Sequence, residues 1–210
     1  MEKYKISSEL ENKTLKRGDL LDIGRINYRV AQMFLDNLEE CDNSVIFGVL
    51  SISDKYEFCE KIYGYTPEAG LFPETKYDDY KSLTKVALAL MKLSEERGLS
   101  EEPKVYRSFE ELNGQTLKYK DRVVFITGIS KREYVVQTSL CAGGGLYLHD
   151  PLGEDIQIFK DLNISSVRGF ANKIYGYYPD KGVFPRTHFG DYEALTKLTL
   201  ELLKKCAENK

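Results

Sequence analysis

The 210-residue sequence has no tryptophan, only two histidines and only four cysteines. No two cysteines form a CxxC pair, so neither a disulfide framework nor a cysteine-based zinc site is indicated. The two histidines are far apart in the sequence, which makes a histidine metal site improbable. We therefore expect a protein without a metal or cofactor. The cysteines are Cys41, Cys59, Cys141 and Cys206.

Long apolar runs are also missing. No stretch of about 18 apolar residues occurs, so the sequence predicts no transmembrane helix. The first residues, from Met1 to Lys5, are charged and are not followed by an apolar stretch. We therefore expect no secretory signal, no membrane partner and a cytoplasmic location.

Neither sign of charge dominates the sequence. Thirty Lys and Arg residues stand against 33 Asp and Glu residues, a formal net charge of −3. This balance argues against a strongly electrostatic nucleic-acid binder or a binder of anionic membranes, although a local basic patch is compatible with it. Hydrophobic residues make up 42% of the chain, which is typical of a globular protein.

The most informative feature of the sequence is an internal repeat. The sequence KIYGY begins at Lys61 and again at Lys173, an offset of 112 residues. From 61–93 against 173–205, 18 of 33 positions are identical without a gap. Near the start of each copy the offset falls to 102, so the second copy carries about ten extra residues. We predict two repeats, 1–100 and 101–210, with a glycine-rich insertion near 141–150.

Each copy is predicted to contain β-strands first and helices second. Short β-branched or aromatic segments bounded by turn residues indicate a small antiparallel meander. Because the spacings leave no room for crossover helices, a parallel doubly wound sheet is disfavoured. The predicted strands are 20–23, 27–35 and 44–52 in the first copy, and 122–127, 133–138, 146–148 and 156–159 in the second.

A helix-loop-helix is predicted to follow the strands in each copy. Ser53 and Ser165 are good N-caps for a helix of about ten residues. The first helix is predicted to end at Gly64 or Gly176 in a left-handed conformation. Asp79 and Asp191 are the predicted N-caps of the second helix, whose apolar stripe repeats between the copies. The fold class is therefore α+β, a tandem duplication of a meander followed by a helix-loop-helix.

The repeated residues at the end of the first helix are the predicted binding surface. Three polar-tipped side chains close to a helix end cannot all point into the core, and Tyr with Lys can form an amphipathic surface for a protein, a base or a phosphate. Packing of the two copies against each other is the structural alternative. The predicted site residues are Lys61, Tyr63, Tyr65 and Phe72 in the first copy, and Lys173, Tyr175, Tyr177 and Phe184 in the second.

The same segment carries a resemblance to other proteins. The sequence Phe-Pro followed by Asp-Tyr-x-x-Leu-Thr-Lys occurs at 72–85 and again at 184–197. This pattern resembles short modules in uncharacterised proteins of tailed phages and large DNA viruses. The resemblance covers about 35 residues of each copy, attaches no activity, and implies a viral, non-enzymatic protein located in the virion or the host cytoplasm.

Three motifs suggest other chemistry. Cys141, His149 and Asp150 contain the residue types of a thiol nucleophile, base and orienter, which would make a cysteine-dependent hydrolase. The glycine turn at Gly128 invites a dinucleotide-binding interpretation, but further glycines are missing and a hairpin explains it equally well. The run Gly143-Gly144-Gly145 could suggest a phosphate-binding loop, but no Gly-Lys-Ser/Thr sequence follows it, so we interpret it as a flexible hairpin or bulge.

We therefore expect a non-enzymatic interaction protein with a protein partner, serving as a virion component or an antagonist of a host defence. Self-association into a homo-oligomer is left open. A nucleic-acid or nucleotide binder is the main alternative, since tyrosines interleaved with Lys61, Lys173, Lys131 and Arg132 could stack bases and neutralise phosphates.

Overall fold

The computed structural model describes residues 1–40, 42–67, 74–128, 130–138, 145–179 and 185–209. The chain forms two compact units, Met1–Glu102 and Pro103–Lys210, which we call the first and second modules. Each module contains a four-stranded sheet. No helix in the described ranges is long and apolar enough to cross a membrane.

Helices and strands follow each other in the same order in both modules. The first module contains β1 (Lys3–Tyr4), α1 (Ser7–Leu10), β2 (Leu20–Ile23), β3 (Ile26–Val30), β4 (Leu35–Asn37), α2 (Val45–Val49), α3 (Lys55–Tyr63) and α4 (Tyr80–Glu96). The second contains β5 (Val105–Tyr106), α5 (Phe109–Leu112), β6 (Arg122–Ile126), β7 (Lys131–Thr138), β8 (Leu146–His149), α6 (Gln157–Asp161), α7 (Val167–Tyr175) and α8 (Tyr192–Glu208). The predicted α+β fold and tandem duplication are confirmed.

Both sheets combine an antiparallel meander with a parallel edge strand. In the first module β2, β3 and β4 pair antiparallel in sequence order, whereas β1 pairs parallel to β2. The second module repeats this order with β5 parallel to β6. The meander was predicted from the spacing of the strands. The two-residue edge strand was not predicted, because so short a segment carries no periodic signal.

Hydrogen bonds to buried polar groups are repeated between the modules. The backbone N–H of Leu15 donates to Thr84 Oγ1 over 2.9 Å, and that of Leu117 donates to Thr196 Oγ1 over 3.0 Å. Asp121 accepts from the N–H groups of Lys104 and Lys118, and its equivalent in the first module accepts the matching pair of bonds. Buried polar groups must be satisfied, so these positions preserve the fold in both halves.

The core of each module lies between the sheet and the long last helix. In the second module Leu195, Leu198 and Leu202 of α8 are fully buried against side chains of the sheet, including Phe125 and Tyr134. The i, i+3, i+4 spacing of apolar residues on this helix is what places them on one face. Leu195 and Leu202 belong to the predicted apolar stripe, which therefore packs as expected, whereas Leu198 was not part of the prediction.

Two predicted strands are wrong. Residues 45–49 and 157–161 form the short helices α2 and α6 instead of β-strands. All five residues of α2 are buried, and a short, continuously apolar run does not distinguish a buried strand from a buried helix. The single strand predicted for 27–35 is also divided, since β3 ends at Val30 and β4 begins at Leu35.

Helix boundaries agree more closely with the prediction. Asp79 and Asp191 cap the N-termini of α4 and α8. α3 and α7, the first helices of the predicted helix-loop-helix, each begin one residue later than predicted. Asp54 and Ser166 accept the capping hydrogen bonds, rather than the predicted Ser53 and Ser165. These caps satisfy N–H groups that have no partner within the helix.

The extra residues of the second module enter at two places in the sheet. Strand pairing makes Leu20 equivalent to Arg122, which is 102 residues further along the chain, and Tyr28 equivalent to Tyr134, which is 106 residues further. The second module therefore has four extra residues in the β6–β7 hairpin. By the pairing of the last two strands, Leu35 is equivalent to Leu148, an offset of 113. The second increase spans the connection to β8. Most of this connection, including Gly143 and Gly144, lies outside the described residues.

Candidate interaction site

The repeated tyrosines lie where the first helix of each pair ends. Gly64 and Gly176 adopt φ of 76° and 79° and terminate α3 and α7, as predicted. This left-handed turn brings together the tyrosines on either side of the glycine. The ring centroids of Tyr63 and Tyr65 are 5.2 Å apart, and the equivalent pair in the second module is 5.3 Å apart.

In the first module the hydroxyl of Tyr65 joins the end of one helix to the start of the next. It donates to Asp79 Oδ2 over 3.2 Å and accepts from the N–H of Lys76 over 3.1 Å. The other carboxylate oxygen of Asp79 accepts from the N–H of Ser82 over 3.0 Å and so caps α4. We call this set of hydrogen bonds the tyrosine clamp.

The second module repeats the tyrosine clamp. The Tyr177 hydroxyl donates to Asp191 Oδ2 over 3.0 Å and accepts from the N–H of His188 over 3.0 Å. Asp191 Oδ1 accepts from the N–H of Ala194 over 2.9 Å. Burial raises the pKa of Tyr177 to about 12 and also raises the pKa of Tyr65. Both hydroxyls therefore stay protonated at neutral pH and remain able to donate.

A second pair of contacts ties the same loops to the last strand of each sheet or to the connection that precedes it. The N–H and hydroxyl of Thr75 both donate to the carbonyl of Met33, over 2.9 and 3.0 Å. In the second module the N–H of Thr187 donates to the carbonyl of Leu146 over 2.9 Å. Thr75 and Thr187 are both buried. The described part of each loop is thus held at the helix ends and at the sheet.

The other predicted site residues are placed in different surroundings. Tyr63 and Tyr175 are half-buried, burial raises the pKa of both hydroxyls, and Tyr175 donates to the carbonyl of Pro185 over 2.9 Å. Lys61 and Lys173 are exposed. Phe72 and Phe184 lie outside the described residues.

The two lysines differ in their neighbours. Lys61 forms an ion pair with Glu57 over 2.6 Å, and this hydrogen bond raises the pKa of the lysine. Gly169 stands at the position equivalent to Glu57, so Lys173 lacks this partner and has no ion pair within the described part of the chain. The structure therefore brings the tyrosines together, whereas the lysines stay in solvent.

Two exposed tyrosines on these loops were missed. Tyr77 is 68% exposed and Tyr178 is 64% exposed. Neither is repeated, since Phe189 and Thr66 stand at the positions 112 residues away, and a search for repeated residues could not find them. A large aromatic side chain in a polar loop was the available signal.

The first of these tyrosines lines a concave site of about 380 Å³. Its walls include Met33, Thr66 and Glu74, beside Tyr65 of the clamp. The ammonium group of Lys76 lies 4.7 Å from the centroid of the Tyr65 ring, within cation–π distance. The site therefore combines apolar, aromatic and charged groups on a fixed loop.

The catalytic alternative receives no geometric support from the described residues. His149 Nδ1 lies 3.1 Å from Asp155 Oδ1, so its carboxylate neighbour is not the predicted Asp150. Cys141 lies outside the described residues, and burial raises the pKa of Cys59 to about 12, which keeps that thiol protonated. Within the ranges described above, no group of three His, Cys, Asp or Glu side chains could hold a metal ion.

The glycine turn at Gly128 belongs to a hairpin. β6 pairs antiparallel with β7 on either side of it, with Ile126 opposite Lys131. A dinucleotide-binding turn would lead from a strand into a helix. The hairpin interpretation of this turn is confirmed.

Comparisons with known proteins do not extend this description. No protein-family model, no curated protein and no solved structure matches the chain.

Proposed function

We propose that the protein is a non-enzymatic binding protein that presents two related protein-binding loops on one chain. The loops join α3 to α4 and α7 to α8, and their described parts are 64–67, 74–79, 176–179 and 185–191. The observation that carries the proposal is that a tyrosine is largely exposed on the described part of each loop, while a tyrosine clamp holds that part in place.

Exposed tyrosines on fixed loops suit protein recognition for two physical reasons. A tyrosine supplies a large contact area and one polar tip at low entropic cost, because it has only two side-chain torsions. A segment that hydrogen bonds already hold in place, as they hold the described parts of these loops, loses little conformational freedom when a partner binds. Tyr77 and Tyr178 would make the contact, whereas Tyr65 and Tyr177 would hold the loops in place.

Two such loops on one chain favour a partner with repeated or symmetric features. Once the first loop binds, the second is present at a high effective concentration, provided that the geometry allows both to engage. The resemblance of 72–85 and 184–197 to modules of phage and large-virus proteins favours a viral setting, as a virion component or an antagonist of a host defence.

The charges favour a protein partner over a nucleic acid. Arg132, one of the residues expected to contact phosphates, donates to Asp161 and Glu154 over 2.9 Å each, and Lys61 is paired with Glu57. A guanidinium surrounded by carboxylates would have to give up these bonds to bind a phosphate. Binding that weakens steeply with salt would instead support the nucleic-acid alternative.

The proposal can be tested with a photo-reactive phenylalanine analogue at position 77 or 178 in cells that produce the protein. Ile6 and Ile126, which are 44% and 38% exposed, provide matched control positions in the two modules. We expect protein adducts from the loop positions and not from the controls. Adducts with nucleic acid, adducts only at the control positions, or no adducts from either loop would overturn the proposal.

A quantitative test follows with the captured partner. We expect the Tyr77→Ala plus Tyr178→Ala variant to bind at least about tenfold more weakly, because exposed tyrosines are frequent hot spots. The Ile6→Ala plus Ile126→Ala variant should bind like the wild type. Equal affinity of the tyrosine variant, in a protein with an unchanged amide spectrum, would contradict the assignment.

A further inference from the structure

The second module contains a cluster of charged side chains away from the tyrosine loops. Arg132 of β7 is surrounded by three carboxylates, those of Asp150, Glu154 and Asp161. We call these four residues the acidic cluster, because one guanidinium does not balance three carboxylates. The side chains of Asp150 and Asp161 are only 3% and 7% exposed.

Two of the three carboxylates are well supplied with hydrogen bonds. Asp161 accepts from Arg132 Nε over 2.9 Å, and also from the Ser130 hydroxyl and the Gln157 amide. Glu154 accepts from Arg132 Nη1 over 2.9 Å. Nε and Nη1 of the guanidinium thus each donate to one of these two partners.

Asp150 is the exception. Its Oδ1 accepts from the N–H of Leu152 over 2.8 Å, but its buried Oδ2 accepts no hydrogen bond from any residue that the structure describes. Arg132 Nη1 is 3.6 Å away, which is too far for a hydrogen bond. A buried carboxylate oxygen without a donor is unfavourable, so this atom is poised to accept a bond from a ligand.

In the first module, the equivalent position is satisfied by hydrogen bonds within the chain. Asn37 occupies the equivalent place, since its N–H donates to Asn43 Oδ1 just as the N–H of Asp150 donates to Asp155 Oδ1. The amide of Asn37 donates to the carbonyl of Asp42 over 3.1 Å. A carboxylate cannot make that bond, so replacing the amide by Asp150 exchanges a donor for an acceptor.

The rest of the acidic cluster is likewise specific to the second module. Strand pairing places Ile26 opposite Ile23 and Arg132 opposite Phe125, at equivalent positions of the two hairpins. The repeat offset of 112 places Val49 at the position of Asp161. Ile26 and Val49 are fully buried. Two buried apolar residues in one module thus stand where the other module has a charged pair.

A cavity of about 240 Å³ lies next to Asp150. Asp150 and Arg132 line it together with Lys131, Glu133, Pro151 and Leu152. Leu152 is 82% exposed. The lining carries two carboxylates, Asp150 and Glu133, two cations, Arg132 and Lys131, and the apolar Pro151 and Leu152. Because Glu154 and Asp161 also lie against Arg132, carboxylates outnumber cations around the cavity by four to two, which favours an aliphatic stem that carries a cationic head.

We propose that this cavity binds the side-chain cation of an arginine or lysine from a protein partner. The cation donates to Asp150 Oδ2, and its methylene stem packs against Pro151 and Leu152. A charge-assisted hydrogen bond to a buried carboxylate is the strong kind, and the excess negative charge of the acidic cluster supplies the attraction. This site does not depend on the tyrosine loops, and either assignment can fail without the other.

The test uses small probes and the full-length protein. n-Butylguanidinium and n-butylammonium represent the two side chains, and neutral n-butylurea is the matched control. Amide resonances of Leu152 and the Nε–H resonance of Arg132 are followed by NMR during titration. We expect saturable shifts with both cations and at least tenfold weaker binding of the urea. Equal binding of the urea, equal shifts at Glu39 in the first module, or no saturable shift would overturn the proposal.

Two variants separate the roles of charge and apolar surface. Asp150→Asn should weaken cation binding at least tenfold, and it should retain the fold because asparagine already serves at the equivalent position. Leu152→Ala changes only an exposed side chain and should weaken binding a few-fold. Unchanged binding in either folded variant would contradict the proposal. A larger response to calcium or magnesium chloride than to the organic cations would replace it with a metal site.

Discussion

The two modules share a polar frame and differ in part of their interior. Both have the tyrosine clamp, the aspartate N-cap and the buried threonine that receives a backbone N–H. Only the second has a charged pair, Arg132 with Asp161, where the first has buried Ile26 and Val49. We infer from this difference that the shared hydrogen bonds maintain the fold, whereas these two interior positions accommodate either apolar or charged side chains.

The largest effect is expected from breaking the charged pair on one side. Arg132→Ile leaves three neighbouring carboxylates without their cation, and removing one partner of a buried pair costs about 3–5 kcal/mol. We expect the free energy of opening measured by hydrogen exchange to fall by this amount in β7. Amides of β3 in the first module serve as the internal control. Unchanged protection in β7 would show that the acidic cluster does not need its cation.

Exchanging the three buried or half-buried members of the acidic cluster together should reverse most of that loss. The triple variant Arg132→Ile, Asp150→Asn and Asp161→Val gives the second module the residues of the first at these three positions and leaves only the exposed Glu154. Replacing a buried ion pair by well-packed apolar groups is often neutral or stabilising, so we expect stability within about 1 kcal/mol of the wild type. Hydrogen exchange in β7 is again the measurement. A triple variant as unstable as Arg132→Ile would mean that the two interiors are not interchangeable.

A smaller and equal effect is expected from the two tyrosine clamps. Tyr65→Phe and Tyr177→Phe each remove a hydroxyl that bonds a carboxylate and a backbone N–H. The expected loss is about 1.5–3 kcal/mol in each case, the usual size for a hydrogen bond to a charged group. Denaturant unfolding with separate probes in the two modules measures it. Losses that differ several-fold would show that the clamps are not equivalent.

The smallest effect concerns acid stability. Burial raises the pKa of Asp161, but hydrogen bonds from Ser130, Gln157 and Arg132 outweigh it and lower the pKa below the usual value of 3.8. A carboxylate with a lowered folded-state pKa contributes stability above its unfolded pKa, and this is lost as the pH falls through the folded value. We expect Asp161→Asn to flatten the acid limb of the stability profile below about pH 4. An acid limb as steep as in the wild type would contradict this source of pH dependence.

Local patterns account for most of what could be predicted about the fold. The repeated Asp79 and Asp191 caps, the left-handed Gly64 and the β2 strand follow from short-range chemistry and were found. Residues 45–49 were predicted as strand because their apolar, β-branched composition is typical of a strand, whereas tertiary packing makes them a fully buried helix. Burial on all sides removes the periodicity that would distinguish the two structures.

The candidate sites were less accessible to sequence reasoning. Tyr65 and Tyr177 were predicted to contact a partner, but a repeat cannot tell whether a residue is kept for binding or for holding a loop. Whether Asp150 Oδ2 has a hydrogen-bond donor depends on where Arg132 of β7 lies in space, and the sequence does not show this. Differences between equivalent positions became visible only when strand pairing aligned the modules.

The equivalence of the two clamps is tested most directly by hydrogen exchange at two amides. The N–H groups of Lys76 and His188 each donate to a clamp hydroxyl. Both amides should be protected in the wild type, and each should lose protection only when the tyrosine of its own module becomes phenylalanine. Protection of one amide and not the other, or protection that survives both substitutions, would contradict the claim that one fold with one clamp occurs twice in this chain.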